Sequence, residues 1–522
     1  MAIAELQSKA RAEKQTTKPS ELVVGNVCRY WAKIDPDKIA LQDDTSALTY
    51  ADLDRRATII AEALVGRGIA KGDVVSAYLP NCLEYVLIVL AVARVGAVFS
   101  PINPRFKSRE LGDILKIAKP RAVFTARDKL SVVTEALRRA DNEPLLVLID
   151  DEKRGAISID RLMRQPGSPL PEIDDSDFFS LMFTSGTTGR PKGALATHRA
   201  RMVWVLNAAV LYGLERTDVY LGTMPQVHSA GLTFTLMHLH AGSKILILRD
   251  FDARRYLESV ERKKVTSSLM VPTMLAMILE ELASGGKTYE LSSFKRLVTC
   301  GSPLPLAIKE KVLGSVTDQL YDYYGSTESN SMSVLLPKDQ IRKPTSVGQA
   351  FPGVEIRIAD DVGNWLPSGK VGEICCKNPS VMTCYFEQPK ETTAAFREGW
   401  YRTGDLGFLD DEAYLHLVGR SVDTIISGGV NIYPAEIEQV LMEHPGILDC
   451  AIVGEPDPKW GQCVVAYIVP RKNWSLDLAA IQAHCAQELA DYKKPRRAVF
   501  LAEIPKNAGG KTIKSALAGP GA

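Results

Sequence analysis

The sequence predicts an α/β protein with a large N-terminal domain of doubly wound parallel sheets, a β-rich subdomain and a small α+β C-terminal domain. Three observations lead there. Helix-like and strand-like stretches alternate from about residue 45, with apolar runs suited to strands buried on both faces. Near residue 345 the pattern changes to short strand-like segments joined by Pro-Gly, Asp-Asp and Ser-Gly turns. The last hundred residues then form a compact pattern of their own, entered through the short polar stretch Gly419-Arg420-Ser421-Val422-Asp423.

Taken in order, Thr49 is placed to cap a helix whose apolar positions Leu53, Ala57, Ile60, Ala61 and Leu64 share one face, and Gly68 ends it. A strand is expected over Asp73–Leu79, a helix over Leu83–Ala93, and strands over Ala97–Ser100, Arg121–Thr125 and Pro144–Ile149. Phe178–Phe183 is a buried strand that stops at a loop rich in glycine and hydroxyls, with helical pattern resuming near Ala200. Lys244–Leu248, Ser267–Val271 and Arg296–Thr299 continue the alternation. Val354–Ile358, Val371–Cys376 and Tyr414–Leu417 make the β-rich part. The C-terminal pattern is a helix from Pro434, strands near Ala451–Val453 and Val464–Val469, a helix from about Leu476 to Leu489 and a strand at Ala498–Leu501.

A length of 522 residues implies two or more domains, and 46% hydrophobic residues supply large cores. A formal net charge of +1 gives no electrostatic case for nucleic acid. The nine cysteines form no CxxC pair, which favours reduced thiols and a cytoplasmic protein. Residues 1–20 lack the apolar core of a signal peptide, and the longest apolar run, Tyr85–Phe99, is interrupted by Arg94 and Gly96, so no integral membrane segment is expected.

Three stretches carry chemistry. In Thr184-Ser185-Gly186-Thr187-Thr188-Gly189-Arg190-Pro191-Lys192-Gly193, Gly186 and Gly189 let backbone N–H groups approach an anion, and Thr184, Ser185, Thr187, Thr188 and Lys192 add donors. It is not the common nucleotide loop, which ends in Gly-Lys-Ser/Thr. In Tyr321-Asp322-Tyr323-Tyr324-Gly325-Ser326-Thr327-Glu328 an aromatic can stack on a purine and Glu328 can hold Mg²⁺. In Tyr401-Arg402-Thr403-Gly404-Asp405, the Asp405 carboxylate can grip both hydroxyls of a ribose. Taken singly, each could be a solvated loop or turn.

Together, and in this order from about residue 45 to 515, they resemble the adenylate-forming superfamily of acyl- and aryl-CoA synthetases, closest in motifs to benzoate/chlorobenzoate-type and medium-chain acyl-CoA ligases. The resemblance implies Ser185, Gly186, Thr187, Thr188, Gly189 and Lys192 around the phosphates, with Thr184 adding a hydroxyl. In the motif Asp322-Tyr323-Tyr324-Gly325-Ser326-Thr327-Glu328 it implies Tyr324 on adenine, Asp322 near its amino edge, Thr327 on phosphate and Glu328 on the metal. Gly301-Ser302-Pro303 resembles the segment facing the adenine and the acyl group. Asp405 and, fifteen residues later, Arg420 correspond to the ribose contacts. His228, in Pro225-Gln226-Val227-His228-Ser229-Ala230-Gly231, corresponds to the gate and wall of the acyl pocket, and Gly428-Gly429 to the turn lining the thiol tunnel. Lys511 corresponds to the lysine of the adenylating step. Trp460, Tyr492 and Lys494, with Arg496, resemble positions that grip the CoA nucleotide; a solvated basic edge is the alternative.

The resemblance divides the chain into a large domain over 1–419, with 345–419 its β-rich subdomain, a hinge at 420–423 and a small mobile domain over 424–522. Val422 stands at the pivot, where the family usually has Asp or Lys. The implied function is ATP- and Mg²⁺-dependent conversion of a carboxylic acid to acyl-AMP with release of pyrophosphate, then transfer to coenzyme A. Loading of a carrier-protein phosphopantetheine and non-catalytic nucleotide binding are the alternatives. Gly231, Gly301 and Gly325 beside Trp204, Asn207, Met224 and Met332 point to an uncharged aromatic or medium-length acyl group. The expected partners are that acid, ATP and CoA, with no nucleic acid; a homodimer stays open.

Overall fold

The computed structural model describes residues 22–153, 155–185, 191–420, 423–427, 430–458, 460–472, 474–506 and 512–517. The chain gathers into two compact units: residues 1–298, 325–331 and 378–398, and residues 299–324, 332–377 and 399–522.

The first unit is α/β. One sheet runs in the order Cys384–Tyr385, Pro191–Thr197, Phe178–Ser185, Val98–Pro101, Val74–Tyr78, Ala122–Thr125, Leu145–Leu148, Ile157–Ser158. From Phe178–Ser185 onward its neighbours are parallel. The first two strands of that order are antiparallel additions. A second run of strands, Ser267–Met270, Val219–Gly222, Lys244–Ile247 and Ile39–Gln42, is parallel and closed by antiparallel Ala47–Thr49. The parallel strands are buried on both faces, which is why they read as unbroken apolar runs. The expected cap is present: Thr49 accepts from the Asp52 backbone N–H, and Leu53, Ala57, Ile60, Ala61 and Leu64 of helix Tyr50–Gly66 are all buried. Helix Leu83–Val95 is buried along its whole length.

One element departs from expectation. Between the glycine-rich loop and helix His198–Leu211 stands a further strand, Pro191–Thr197, paired antiparallel to Phe178–Ser185 from Thr197 down to Pro191. Small residues make this position possible. A Cβ on Gly193 would lie 2.7 Å from Leu181 Cδ1, so a larger residue there would have to displace that side chain. Pro191 opens the strand, the one place where its missing donor is harmless.

The second unit holds an antiparallel sheet of Glu355–Ala359, Gly372–Lys377, Trp400–Leu409 and Leu415–Arg420. Its C-terminal part is a five-stranded sheet, Val430–Ile432, Ile425–Ser427, Gly461–Pro470 and Ile447–Asp457, with Arg497–Phe500 parallel to Gly461–Pro470. Helices Pro434–Met442 and Leu478–Glu488 cover one face of it, burying Ile437, Leu441, Ile481 and Cys485 against Ile452, Val464 and Ile468. Strands Ile425–Ser427 and Val430–Ile432 were not legible as strands, because the glycine pair between them dominates the local sequence. Among the described residues, the cysteines form no disulfide. Among the described residues, no helix is long and apolar enough to cross a membrane. The expected pivot residue Val422 lies outside the described residues.

Candidate active site

In the first unit, the end of strand Phe178–Ser185 meets the turn after Tyr324. Thr184 Oγ1 donates to Glu328 Oε1 at 3.2 Å, and the Tyr385 hydroxyl donates to the same oxygen at 3.1 Å. Lys192 Nζ sits 5.2 Å from the centroid of the Tyr385 ring. The turn that presents Glu328 is tightly built. Ser326 and Ser329 exchange hydrogen bonds, each backbone N–H donating to the other's hydroxyl at 3.0 Å. The Met382 N–H donates to the Glu328 carbonyl at 2.7 Å, and Asn378 Nδ2 donates to the carbonyls of Ser329 and Ser331. Asn330 takes a left-handed conformation, φ +56°, which Asn tolerates better than most residues. Gly325 is required by the same fold of the chain: a Cβ there would lie 1.9 Å from the Asn330 carbonyl oxygen.

Tyr385 escaped the sequence analysis. It stands 57 residues from Glu328 and outside every recognisable motif. Only its pairing with Ala194 in the sheet brings it to the carboxylate. Of the expected phosphate loop, Thr184 and Lys192 are placed as described; Gly186, Thr187, Thr188 and Gly189 lie outside the described residues, as does the side chain of Ser185.

His228 is the N-cap of helix Ser229–His240. Burial, and then the positive charge of Arg105, lowers its pKa, so the ring is neutral at physiological pH. Gly231 in the first turn is set by packing, since a Cβ would lie 2.4 Å from the Pro225 carbonyl oxygen. Two other histidines are core residues: His198 accepts from the Val24 N–H, and His238 stacks on Tyr220 with ring centroids 4.3 Å apart.

In the second unit, Asp405 is held on both oxygens. The Tyr324 hydroxyl donates to Oδ2 at 2.6 Å, and Arg420 Nε lies 3.1 Å from Oδ1. Asp405 and Arg420 are cross-strand partners in the sheet, so the spacing of fifteen residues is a hairpin register. Thr403 Oγ1 accepts from the Asp405 N–H and donates to the Ile374 carbonyl, fixing the carboxylate's backbone. Burial raises the Asp322 carboxyl to about 7, against the pull of the Lys309 ammonium. Lys309 is itself buried and donates to the Pro344 carbonyl at 2.8 Å. Tyr323 is buried beside it in the chain, and Gly301, before Ser302 and Pro303, has φ +90°.

The C-terminal sheet carries the remaining expected residues. The Arg496 guanidinium lies 5.0 Å from the centroid of the Trp460 ring. Tyr492 is half exposed, and Lys494 pairs with Asp491 at 2.7 Å. Gly428, Gly429 and Lys511 lie outside the described residues.

Residues 28–386 match the family described as AMP-binding enzyme, and residues 436–511 match the AMP-binding enzyme C-terminal domain. The chain belongs to the AMP-binding enzyme family. Within it, the chain is 34% identical over 491 residues to the indoleacetate–CoA ligase of Aromatoleum aromaticum, covering 92% of this chain and 95% of that one. It is 32% identical over 497 residues to the fatty acid–[acyl-carrier-protein] ligase ScoC of Streptomyces coeruleorubidus, covering 94% of each. The fold superposes on o-succinylbenzoate coenzyme A synthetase of Bacillus subtilis in complex with ATP and magnesium ion, with TM-score 0.83, 30% identity, and 94% of this chain and 99% of that one covered. This AMP-binding enzyme is an acid–thiol ligase of the acyl- and aryl-CoA synthetase type, which activates a carboxylic acid with ATP.

The residues present suit the magnesium ion such a reaction uses. Glu328 offers a hard carboxylate oxygen flanked by two hydroxyls, Thr184 and Tyr385. Among the described residues, no group of three or more His, Cys, Asp or Glu could hold a metal by itself. One carboxylate, with substrate phosphates and water completing the shell, is a donor set Mg²⁺ favours.

Proposed function

We propose that this enzyme activates an aromatic or medium-chain acid, that Thr184, Lys192 and Glu328 serve the phosphates and metal, and that Asp322, Tyr324, Asp405 and Arg420 serve the nucleoside. The observation that carries the assignment is the contact of Thr184 and Tyr385 with Glu328. It joins the end of the strand that leads into the glycine-rich loop to a carboxylate 144 residues away. The indoleacetate ligase, whose named substrate is aromatic, supports the acid class.

The first half-reaction brings two anions together: the substrate carboxylate and the α-phosphate. Bound magnesium would supply charge neutralisation on the departing pyrophosphate. Lys192 adds a second positive charge, steadied by the Tyr385 ring beneath it. Glu328, held by two hydroxyl donors, keeps its orientation as charge develops. At the nucleoside, the Tyr324 hydroxyl and the Arg420 guanidinium aim the Asp405 carboxylate at the ribose. The oxyanion of the acid and the α-phosphate oxygens require one more cation, the role assigned to Lys511 from its motif. Once AMP is the leaving group, Lys511 has no further task, and the Gly428-Gly429 turn serves the incoming thiol. Trp460, Tyr492, Lys494 and Arg496 are assigned to the CoA nucleotide; the stacked Arg496–Trp460 pair favours an aromatic, anionic ligand there.

The test is acid-dependent ATP–pyrophosphate exchange across a broad carboxylate library, followed by AMP release with CoA or with a phosphopantetheinyl carrier protein as acceptor. Release with CoA alone upholds the reading, and release only with the carrier transfers it to the second acceptor, for which ScoC is the relative. Nucleotide binding without acid-dependent exchange removes it. Lys511→Ala is expected to cut adenylation by orders of magnitude while sparing transfer from supplied acyl-AMP. A homodimer, the absence of a nucleic-acid partner and a cytoplasmic location belong to the same proposal.

A further inference from the structure

Strands Gly372–Lys377 and Trp400–Leu409 fall out of register at one place. Cys375 pairs with Arg402 and Glu373 with Leu406, so Thr403, Gly404 and Asp405 stand opposite Ile374 alone. A bulge of this kind disrupts the ladder locally and re-aims a side chain. Here the re-aimed side chain is Asp405. Gly404 takes φ +72°, and a Cβ there would meet nothing within 4 Å, so glycine serves the backbone conformation and not the packing.

The bulge is held from the facing strand. Glu373 Oε2 accepts from Arg402 Nε at 2.7 Å and from Arg402 Nη2 at 2.5 Å. The other oxygen, Oε1, accepts from the Gly404 N–H at 3.2 Å. Thr403 Oγ1 completes the set, accepting from the Asp405 N–H at 3.0 Å and donating to the Ile374 carbonyl at 2.8 Å. One carboxylate thus spans the bulge, from the residue that opens it to the residue just before Asp405. The Arg402 side chain is 44% exposed, and an ion pair to so open a partner adds little to stability. An exposed ion pair has no need of the second contact, a charge-assisted bond to the backbone at the left-handed residue. Tyr324 and Arg420 engage the oxygens of Asp405, whereas Glu373 fixes the backbone that carries them.

We propose that Glu373 is a positioning residue for nucleotide recognition: by bridging Arg402 and the Gly404 N–H it locks the bulge that aims Asp405 at the ribose hydroxyls. This rests on the assignment of Asp405 to the ribose. Glu373 acts through Asp405 and needs no contact with the nucleotide. Without it the Gly404 N–H loses its acceptor and the bulge gains other conformations, in fewer of which the Asp405 carboxylate meets both hydroxyls.

The test measures acid-dependent pyrophosphate release with ATP and with dideoxy-ATP, which lacks both ribose hydroxyls. The native enzyme is expected to prefer ATP in kcat/KM by at least about 100-fold, and Asp405→Ala to lose most of that preference. Glu373→Ala is expected to lower kcat/KM for ATP about tenfold, through KM, while leaving dideoxy-ATP unaffected. Glu373→Gln, which keeps an oxygen for the Gly404 N–H, should recover part of the loss. In the Asp405→Ala background, Glu373→Ala should add nothing. Equal losses with ATP and dideoxy-ATP would make Glu373 a merely structural residue and overturn the inference. So would a Glu373→Ala enzyme that keeps the full preference, and in both cases the ribose assignment of Asp405 stands. A native enzyme without the preference, or an Asp405→Ala enzyme that retains it, removes that assignment and the inference together. Arg402→Gln, a change at an exposed side chain, is expected to give a smaller loss with the same selectivity for ATP, and it decides the matter if the Glu373 variants fail to fold.

Discussion

Tyr324 and Asp405, 81 residues apart, meet through a hydrogen bond of 2.6 Å from phenol to carboxylate. The pair sits at the end of one strand and the middle of another, and Arg420 closes the far side of the same carboxylate. Tyr324 therefore orients Asp405 as well as offering its ring. Tyr324→Phe keeps the ring and removes the hydroxyl. A hydrogen bond to a charged group contributes about 1.5–3 kcal/mol, so KM for ATP is expected to rise roughly tenfold or more at saturating acid. An unchanged KM would show that Asp405 needs no help from the phenol.

Glu328→Gln keeps the shape of the side chain and removes the charge. Acid-dependent exchange is expected to fall about 10²- to 10³-fold, with a higher Mg²⁺ concentration needed for half-maximal rate. Tyr385→Phe removes one of the two hydroxyls on Glu328 and is expected to cost roughly two- to tenfold, with the same direction of shift in the Mg²⁺ requirement. Equal magnesium curves for all three proteins would separate Glu328 from the metal.

The Asp322 carboxyl is pushed up to about 7 by burial, and in its proposed place at the adenine it would make nucleotide affinity depend on pH. Only the ionised form accepts from an amino group on both oxygens. KM for ATP is therefore expected to fall as pH rises through about 7, and Asp322→Asn should abolish that inflection. Stability runs the other way. The folded state binds this proton more tightly than the unfolded chain, so this group's contribution to stability is present at low pH and is lost as pH rises from about 4 to about 7.

His198 and His238 give the acid limb. Burial lowers both from the ordinary 6.5 to about 4, so the unfolded chain takes up protons that the folded one refuses. Their contribution is present above about 6.5 and is lost as pH falls toward 4, on the order of 3 kcal/mol for each residue. Chemical denaturation at pH 7.5, 6 and 4.5 is expected to show falling stability, and His238→Gln should flatten the curve. A midpoint independent of pH in that range would contradict the burial of both rings.

Gly325→Ala places a methyl 1.9 Å from a backbone carbonyl, and neither partner is a flexible side chain. The turn carrying Glu328 must shift. Overpacking of this kind costs about 1–3 kcal/mol, and the variant is expected to lose both thermal stability and exchange activity. Full activity with lowered stability would show that the geometry of Glu328 tolerates the displacement.

The sequence by itself determined the order of elements, because apolar runs of strand length and apolar faces of helix length are local patterns set by burial on two faces or on one. The phosphate strand, the capping Thr49 and the helix from Pro434 needed nothing else. It also supplied the motifs on which the proposed chemistry rests, since glycine, hydroxyl and carboxylate at fixed local spacing carry their own logic. It did not reveal the strand Pro191–Thr197, whose apolar content is small residues made acceptable only by the strands on either side. Nor did it reveal Tyr385: its contact with Glu328 joins residues distant in the chain, and no local period records it. The tertiary structure alone decided which oxygen each hydroxyl reaches, because hydrogen bonding is set by distances of a few ångströms that the fold, and not the neighbouring sequence, establishes.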